Sequence, residues 1–576
     1  MLPLRGEVQG PVGMNGLEIT VILGAAVLAA TVLAPRLRLA APLLLVLFGL
    51  ALGFVPELRE VQLPPEVMLL LFLPVMLFWE SLTTSLRAIK RDFRGIVILS
   101  TLLVVATAFG VAGLAAALGM PWDAALVLGA ALSPPDATAA AALGRTLPRR
   151  QFMLLKAESL TNDGTALVLY AIAVGVASGG HYTALEVTGL VLLSYLGGIA
   201  AGVLVAGLVY VLLRQVHDPT AINVALLVTP FVAYLAAELI HASGVLAVVV
   251  AGLVIAYASG RISNAASRRQ TESAWPLGSY VLNGALFALI GLEAQAVAHD
   301  LGAAHVARLL GTVVAVWVVV IVIRFVFPQL AVFVIRAVDR RPSQRARRMS
   351  YRARVVGAVA GFRGAVSLAI ALSVPLVLDD GTPFPARDDI IFVTAGVVLL
   401  TLLVQGPLLP AVVRWAHLPE DTAAEQELQL AEQQITATAI AGLPDLAAEH
   451  GVSQETLHRL TSDYREHLAL VQARQQEQTP IGTSAGPPPG DQNQAVSASG
   501  TGGRPHPAAG AAGLVERSPL ARNEEYNRLR VAMLDLKREA LLRLRREGTI
   551  DDTEARRIQA RIDIEELRLT GVVSVE

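Results

Sequence analysis

The chain has 576 residues, of which 54% are hydrophobic and 16% charged, with a net charge of -1 and a mean hydropathy of +0.57. That balance excludes an ordinary soluble globular protein and places the chain among polytopic membrane proteins. The lack of cysteine excludes disulfides, thiol catalysis and thiolate-held metal clusters, and a segment beyond His417 with about eight more acids than bases argues against a nucleic-acid partner.

Residues 1–16 are loop-like, and the first apolar run, 17–34, is followed rather than preceded by its positive charges, Arg36 and Arg38. A signal peptide has the opposite order, so this is an uncleaved helix with its N-terminus outside. Twelve further apolar runs follow, near 40–55, 64–84, 95–117, 122–143, 151–177, 185–213, 220–240, 243–259, 276–297, 304–335, 355–377 and 389–414. Alternate connectors are basic: Arg36/Arg38, Arg87/Lys90/Arg91/Arg94, Arg145/Arg149/Arg150, Arg214, Arg261/Arg268/Arg269, and eight arginines from Arg336 to Arg354. The intervening connectors hold almost no bases. This alternation is the positive-inside pattern, and it predicts about 13 transmembrane helices with the tail in the cytoplasm.

Two runs are broken internally. Ser133-Pro134-Pro135-Asp136 interrupts the fifth, because two prolines remove two backbone donors and clash with the preceding turn. Gly357, Gly361-Phe362-Arg363-Gly364 and Pro375 interrupt the twelfth. Broken spans at corresponding places in two halves mark the binding site of an inverted-repeat transporter, here with spans 1–6 repeated as 8–13. Beyond the membrane part, 420–437 is rich in Glu and Gln. A helix is predicted from Ser453 with Leu457, Leu460, Tyr464 and Leu468 on one face. Residues 475–512, rich in Gly, Pro, Ser and Gln, are predicted to be disordered. A second stripe, Leu529, Met533, Leu536, Ala540 and Leu544, ends at Gly548 and begins a helical hairpin over 524–569. The expected domains are an extracytoplasmic N-terminus (1–16), a transmembrane domain (17–416), a cytoplasmic helical segment (417–474), a disordered linker (475–512) and a helical hairpin (513–576).

The chemistry concentrates in the sixth run, at Glu158-Ser159-Leu160-Thr161-Asn162-Asp163-Gly164. Asp163 falls near mid-membrane, where a carboxylate costs several kcal/mol unless it is protonated, paired or coordinating an ion. A desolvated carboxyl group can hold a proton near neutral pH and release it when a cation arrives. Ser159 lies one turn before Asp163 on the same face. Asp136 lies in the neighbouring broken span, where carbonyls freed by Pro134 and Pro135 are expected to add oxygen ligands suited to a hard cation. Asp163, Asp136, Ser159, Asn162 and Pro135 are therefore the candidate ion and proton site. Glu158 and Arg363 are expected to form a structural ion pair between spans six and twelve. Glu80 is a candidate for the ion path, and Asn283 and Arg324 are candidates for helix–helix glue or a gate. No resident cofactor is implied. Two aspartates on adjacent spans is also the layout of an intramembrane aspartyl protease, whose Gly-x-Gly-Asp surroundings this chain lacks. A regulated cation channel is the other alternative, and it would need a pore ring of like residues that the sequence does not contain.

Glu158-Ser-Leu-Thr-Asn162-Asp163-Gly-Thr-Ala166, Gly361-Phe-Arg363-Gly-Ala-Val-Ser-Leu368, Phe72-Leu-Pro-Val-Met-Leu-Phe78 and Leu132-Ser133-Pro134-Pro135-Asp136 resemble the motifs of the monovalent cation:proton antiporter-1 family. The resemblance covers spans three to twelve in the family's order. It implies an electroneutral sodium/proton exchanger, with potassium or lithium as other candidate ions, Asp163 as the ion- and proton-binding carboxylate and Ser159 beside it. It also implies a homodimer in the inner membrane, with a mobile core domain and a dimerisation domain. Pro135 and Ala137 stand where that family usually has Thr and Pro, so a hydroxyl is lost beside the site.

Overall fold

A computed structural model of the protein describes residues 14–37, 39–55, 68–137, 147–180, 183–300, 302–338, 350–378, 381–418, 422–478 and 518–571. Most of the expected N-terminal segment 1–16, and 479–512 of the expected linker, lie outside the described residues. The chain divides into two compact units, the first running to Thr422 and the second beginning at Ala423.

The first unit is built of helices: α1 (Met14–Leu37), α2 (Ala41–Leu52), α3 (Leu73–Thr83), α4 (Leu86–Val97), α5 (Val104–Ala117), α6 (Trp122–Leu132), α7 (Arg149–Ala177) and α8 (Ala184–Leu213). It continues with α9 (Pro219–Glu238), α10 (Gly244–Ile262), α11 (Ala265–Asp300), α12 (Ala303–Val338), α13 (Tyr351–Val359), α14 (Ala365–Leu372), α15 (Arg387–Leu400) and α16 (Gly406–Ala416). No strand occurs among the described residues beyond a single bridge, Val377 to Pro383. Among the described residues, nine helical stretches are long and apolar enough to cross a membrane, and Ala41–Leu52, Leu70–Thr83 and Trp122–Leu132 are shorter apolar helices. Several boundaries are written in the sequence. Thr183 and Glu186 form a capping box on α8, and Asp218 and Ser243 cap the N-termini of α9 and α10.

The expected break at Ser133–Asp136 ends α6 at Leu132, and the expected break in the twelfth run separates α13 from α14 at Ala360–Gly364. Three π-helical turns (Met68–Phe72, Ile98–Leu103 and Thr401–Gln405) interrupt the spans leading into α3, α5 and α16. Each leaves the regular bonding ladder locally open. Two apolar cores hold this unit together. One joins α6, α12, α14 and α15 with α2 and α11. The other joins α8, α9 and α10 with α3. Where α2 crosses α11, Gly49 and Gly291 let the backbones approach so closely that a Cβ on either would overlap a carbonyl oxygen of the facing helix.

The second unit contains α17 (Thr422–Glu449), α18 (Gln454–Gln478), α19 (Pro519–Glu547) and α20 (Asp552–Thr570). Ser453 caps α18 and Gly548 ends α19 in the left-handed conformation at φ 80°, as the sequence indicates. The structure revises the rest. Residues 475–478, expected in the linker, continue α18. The Glu/Gln-rich stretch is helix α17, whose buried Ala431, Ile435, Ala439, Leu443 and Ala447 repeat every four residues. That stripe packs on the hairpin: Ala431 and Ile435 share a core with Leu534, Leu541 and Ile558, and Ala439 and Leu443 share one with Leu460, Leu529 and Met533. The helical segment and the hairpin, expected as separate pieces, are one folded unit.

Candidate functional site

The site forms where the two broken helices meet. At the end of α6 the backbone leaves its helical ladder, and the Asp136 N–H donates across to Phe362 O at 2.8 Å. The Ala137 N–H turns instead to Ser159 Oγ on α7, at 3.3 Å. Leu132 O and Ser133 O, which those two N–H groups would have capped in a continuous helix, accept from the Arg363 guanidinium at 2.7 and 3.3 Å. Arg363 also holds Gly361 O at 2.9 Å, and Thr401 Oγ1, from a π-helical turn, accepts the Arg363 backbone N–H at 3.4 Å. A cation thus caps the carbonyl end of α6, and an anion faces the other break. Gly364 is the N-cap of α14, and a Cβ there would overlap Asp136 Oδ2, so the carboxylate lies against the amino end of that helix.

Asp163 and Asn162 are buried on α7, one turn or less beyond Ser159. Neither amide atom of Asn162 has a hydrogen-bond partner among the described residues, although the side chain is wholly buried. A buried group left open in this way calls for a water, an ion or a second conformation. The charges that act on Asp163 are those of Glu80 and Asp136, so three buried carboxyl groups form one electrostatic cluster. Ser159 faces that cluster through its bond to the Ala137 N–H, and Pro135 is buried in the non-helical stretch beside it.

The expected Glu158–Arg363 pair is not formed. Glu158 takes a two-pronged bond from Arg324 of α12, Nη1 to Oε1 at 2.7 Å and Nη2 to Oε2 at 3.2 Å. Arg324 Nε also donates to Gly357 O at 3.3 Å, which ties α7, α12 and α13 together. Arg363 is committed to backbone carbonyls that the break leaves without donors, so the guanidinium on the next helix takes the acid. Arg324, expected as helix–helix glue or a gate, is the structural partner of Glu158, and the carbonyls of Leu132 and Ser133 serve Arg363. Asn283 sits half-buried on α11, its amide oxygen without a partner among the described residues.

Glu80 is buried in the last turn of α3, a turn that Lys156 of α7, a residue not singled out from the sequence, also reaches. The Lys156 ammonium donates to Thr83 Oγ1 at 2.6 Å. Its signal was a single base inside an apolar run, two turns before Asp163 on the same helix.

Interrupted helices that cross over buried carboxylates and arginines, within a bundle of apolar spans, define a secondary transporter for small cations. The family description "Sodium/hydrogen exchanger, transmembrane" matches residues 22–415, and the chain belongs to that family. It is 41% identical over 564 residues to an uncharacterised Na(+)/H(+) exchanger of Mycobacterium bovis, with 97% of each chain covered. It is 33% identical to the low-affinity Na(+)/H(+) antiporter NhaS1 of Synechocystis, over 72% of this chain and 76% of that one. The fold resembles that of the sodium proton antiporter MjNhaP1 of Methanocaldococcus jannaschii, with a TM-score of 0.52 at 19% identity, covering 70% of this chain and 99% of that one. The protein is a multi-pass membrane antiporter that exchanges cations for protons.

Proposed function

We propose that Asp163 is the exchanging group, holding either one proton or one monovalent cation and carrying them in opposite directions by alternating access. The observation that supports this most directly is the pairing of a buried carboxyl group with the open amide of Asn162, beside the break that carries Asp136. Asn162 cannot titrate. Asp136 does not exchange in this reading; its carboxyl group lies against the amino end of α14. One carboxyl group then trades one proton for one cation, and the cycle is electroneutral. Ser159 Oγ, the Asn162 amide oxygen and the Pro135 carbonyl complete an oxygen site of the kind alkali cations take.

Sodium is the proposed ion, with potassium and lithium as competitors in the same site. A relative from Bacillus pumilus, 30% identical over 75% of this chain and 66% of its own length, is named a sodium, potassium, lithium and rubidium/H(+) antiporter, which fits an undemanding oxygen site. Glu80 is proposed to line the path to Asp163, and Asn283 to act at a gate. The protein is proposed to work as a homodimer in the inner membrane, its N-terminus outside and its tail in the cytoplasm, on the strength of the basic connectors.

The test is Asp163→Asn in reconstituted vesicles, which keeps the shape and removes the titratable charge. Sodium-driven proton flux is expected to vanish while the protein inserts and melts as before. Ordinary exchange by the variant would end the assignment.

A further inference from the structure

The helix that carries Asp163, α7, is shared between the two apolar cores, giving Leu155, Ala166 and Ala173 to the first and Leu160 to the second. Its polar ties to the two differ in kind. Toward the first core, Glu158 takes the two-pronged bond from Arg324, and Ser159 Oγ accepts the Ala137 N–H. The Tyr170 hydroxyl also accepts from Ser373, at the carbonyl end of α14, at 3.1 Å. Toward the second core the ties are single bonds. Thr165 Oγ1 lies 2.5 Å from the hydroxyl of the half-buried Tyr195 on α8, and Lys156 donates to Thr83 of α3. The buried Thr165 hydroxyl donates to Ser100 O at 2.9 Å, a carbonyl of the π-helical turn that leads into α5. A hydroxyl has one proton to give, so Thr165 Oγ1 accepts from Tyr195. The chain from Tyr195 through Thr165 to Ser100 thus starts on a helix of the second core, crosses the helix of Asp163 and ends beside α5, whose Val104, Val111 and Ala112 lie in the first core.

We infer that the Tyr195–Thr165 hydrogen bond is a latch that holds α7 against α8 in the observed orientation and opens in each transport cycle. The inference rests on alternating access at Asp163, in which one bundle rocks against another around the site. For the site to change sides, α7 must part from one of its two cores. Breaking a buried ion pair shifts an equilibrium by roughly a thousandfold, whereas the net worth of one neutral hydrogen bond is about fivefold. The helix therefore travels with Arg324 and the first core, and its bonds to the second give way. Tyr195 does not touch the transported ion; it is a positioning residue that acts through Thr165, two residues beyond Asp163.

The experiment measures the apparent sodium KM of the full chain from each face of the membrane, in right-side-out and inside-out vesicles, and takes the ratio. Removing the latch changes how the protein divides between its two orientations, so the two KM values move in opposite directions. Tyr195→Phe, which keeps the ring and leaves Ser100 O its donor, is expected to shift the ratio about fivefold. Thr165→Val is expected to shift it the same way, and Thr165→Ser to keep the wild-type ratio. Tyr195→Phe/Thr165→Val is expected to go no further than the single variants, because both remove the same bond. A wild-type ratio in Tyr195→Phe would overturn the inference, as would additive shifts in the double variant or a Thr165→Ser ratio as far shifted as that of Thr165→Val. A Tyr195→Phe protein that does not insert would make the bond part of the fold and overturn it too. If Thr165→Val fails to insert, the Tyr195→Phe ratio decides alone. Wild-type sodium flux that runs without a counter-flow of protons would instead overturn alternating access itself.

Discussion

The arginines show how much a residue's role depends on what its neighbours have already used. Arg363 and Arg324 are both buried, and both were available to Glu158 on grounds of charge alone. The break in α6 decides between them, because Asp136 and Ala137 direct their N–H groups elsewhere and leave carbonyls that only Arg363 reaches. Removing one partner of a buried pair costs about 3–5 kcal/mol, because the remaining charge stays buried and uncompensated. Arg324→Gln and Glu158→Gln are each expected to lower the melting temperature in detergent, and the double variant to recover part of the loss. A double-mutant cycle should give a larger coupling for Glu158 with Arg324 than for Glu158 with Arg363. Equal couplings would show that the acid is shared between the two guanidinium groups.

Among the elements, the broken helices are held in register by backbone contacts that leave no room for a side chain. Gly364 is needed because the Asp136 carboxyl group lies directly against its Cα. Gly364→Ala is expected to push Asp136 out of the crossing and reduce exchange more than tenfold, while the cores around α11 and α12 stay intact. The α2–α11 crossing is the contrasting case. Gly291→Ala forces those helices apart and overpacks the crossing, a change that typically costs ~1–3 kcal/mol. Its signature is a lowered melting temperature with exchange per folded molecule preserved. Gly364→Ala proteoliposomes that exchange normally, or Gly291→Ala protein that melts as wild type, would show these approaches to be slack.

At the scale of the whole molecule, the second unit has cores of its own and a polar network that ties three of its helices. Glu565 of α20 accepts from Arg530 at 2.7 Å and from Tyr464 at 3.0 Å, and Lys537 stands 3.4 Å away. Burial pushes the Glu565 carboxyl up, but Lys537, Arg530 and Tyr464 together outweigh it and hold the group below its ordinary 4.5. A carboxyl group depressed in the folded state contributes stability that is fully present above its unfolded value and lost as the pH falls through the folded one. A fragment spanning 422–571 is therefore expected to fold alone as a helical unit and to lose stability below about pH 4.5. Glu565→Gln should flatten that slope in thermal melts followed by circular dichroism. Truncation after His417 should leave the antiporter unit inserted and exchanging. A fragment that stays unfolded at neutral pH would show that the tail depends on the rest of the chain.

Much of this protein was determined by the order of its residues alone. Apolar length, alternating basic connectors, two prolines in one span and two glycines flanking an arginine in another are local features, and local backbone physics turns them into spans and breaks. Ser159 and Asp163 share a face for the same reason, four residues being one turn. The tertiary structure decided the partners. Glu158 and Arg324 are 166 positions apart, and Arg363 and Leu132 are 231. Nothing in either neighbourhood distinguishes one buried guanidinium from another until helix packing has assigned the open carbonyls. Lys156 was hidden for the same reason, since its partner Thr83 lies on a different helix. In the tail, the apolar stripe of α17 was masked by the Glu and Gln around it, and it shows as core only where the hairpin covers it.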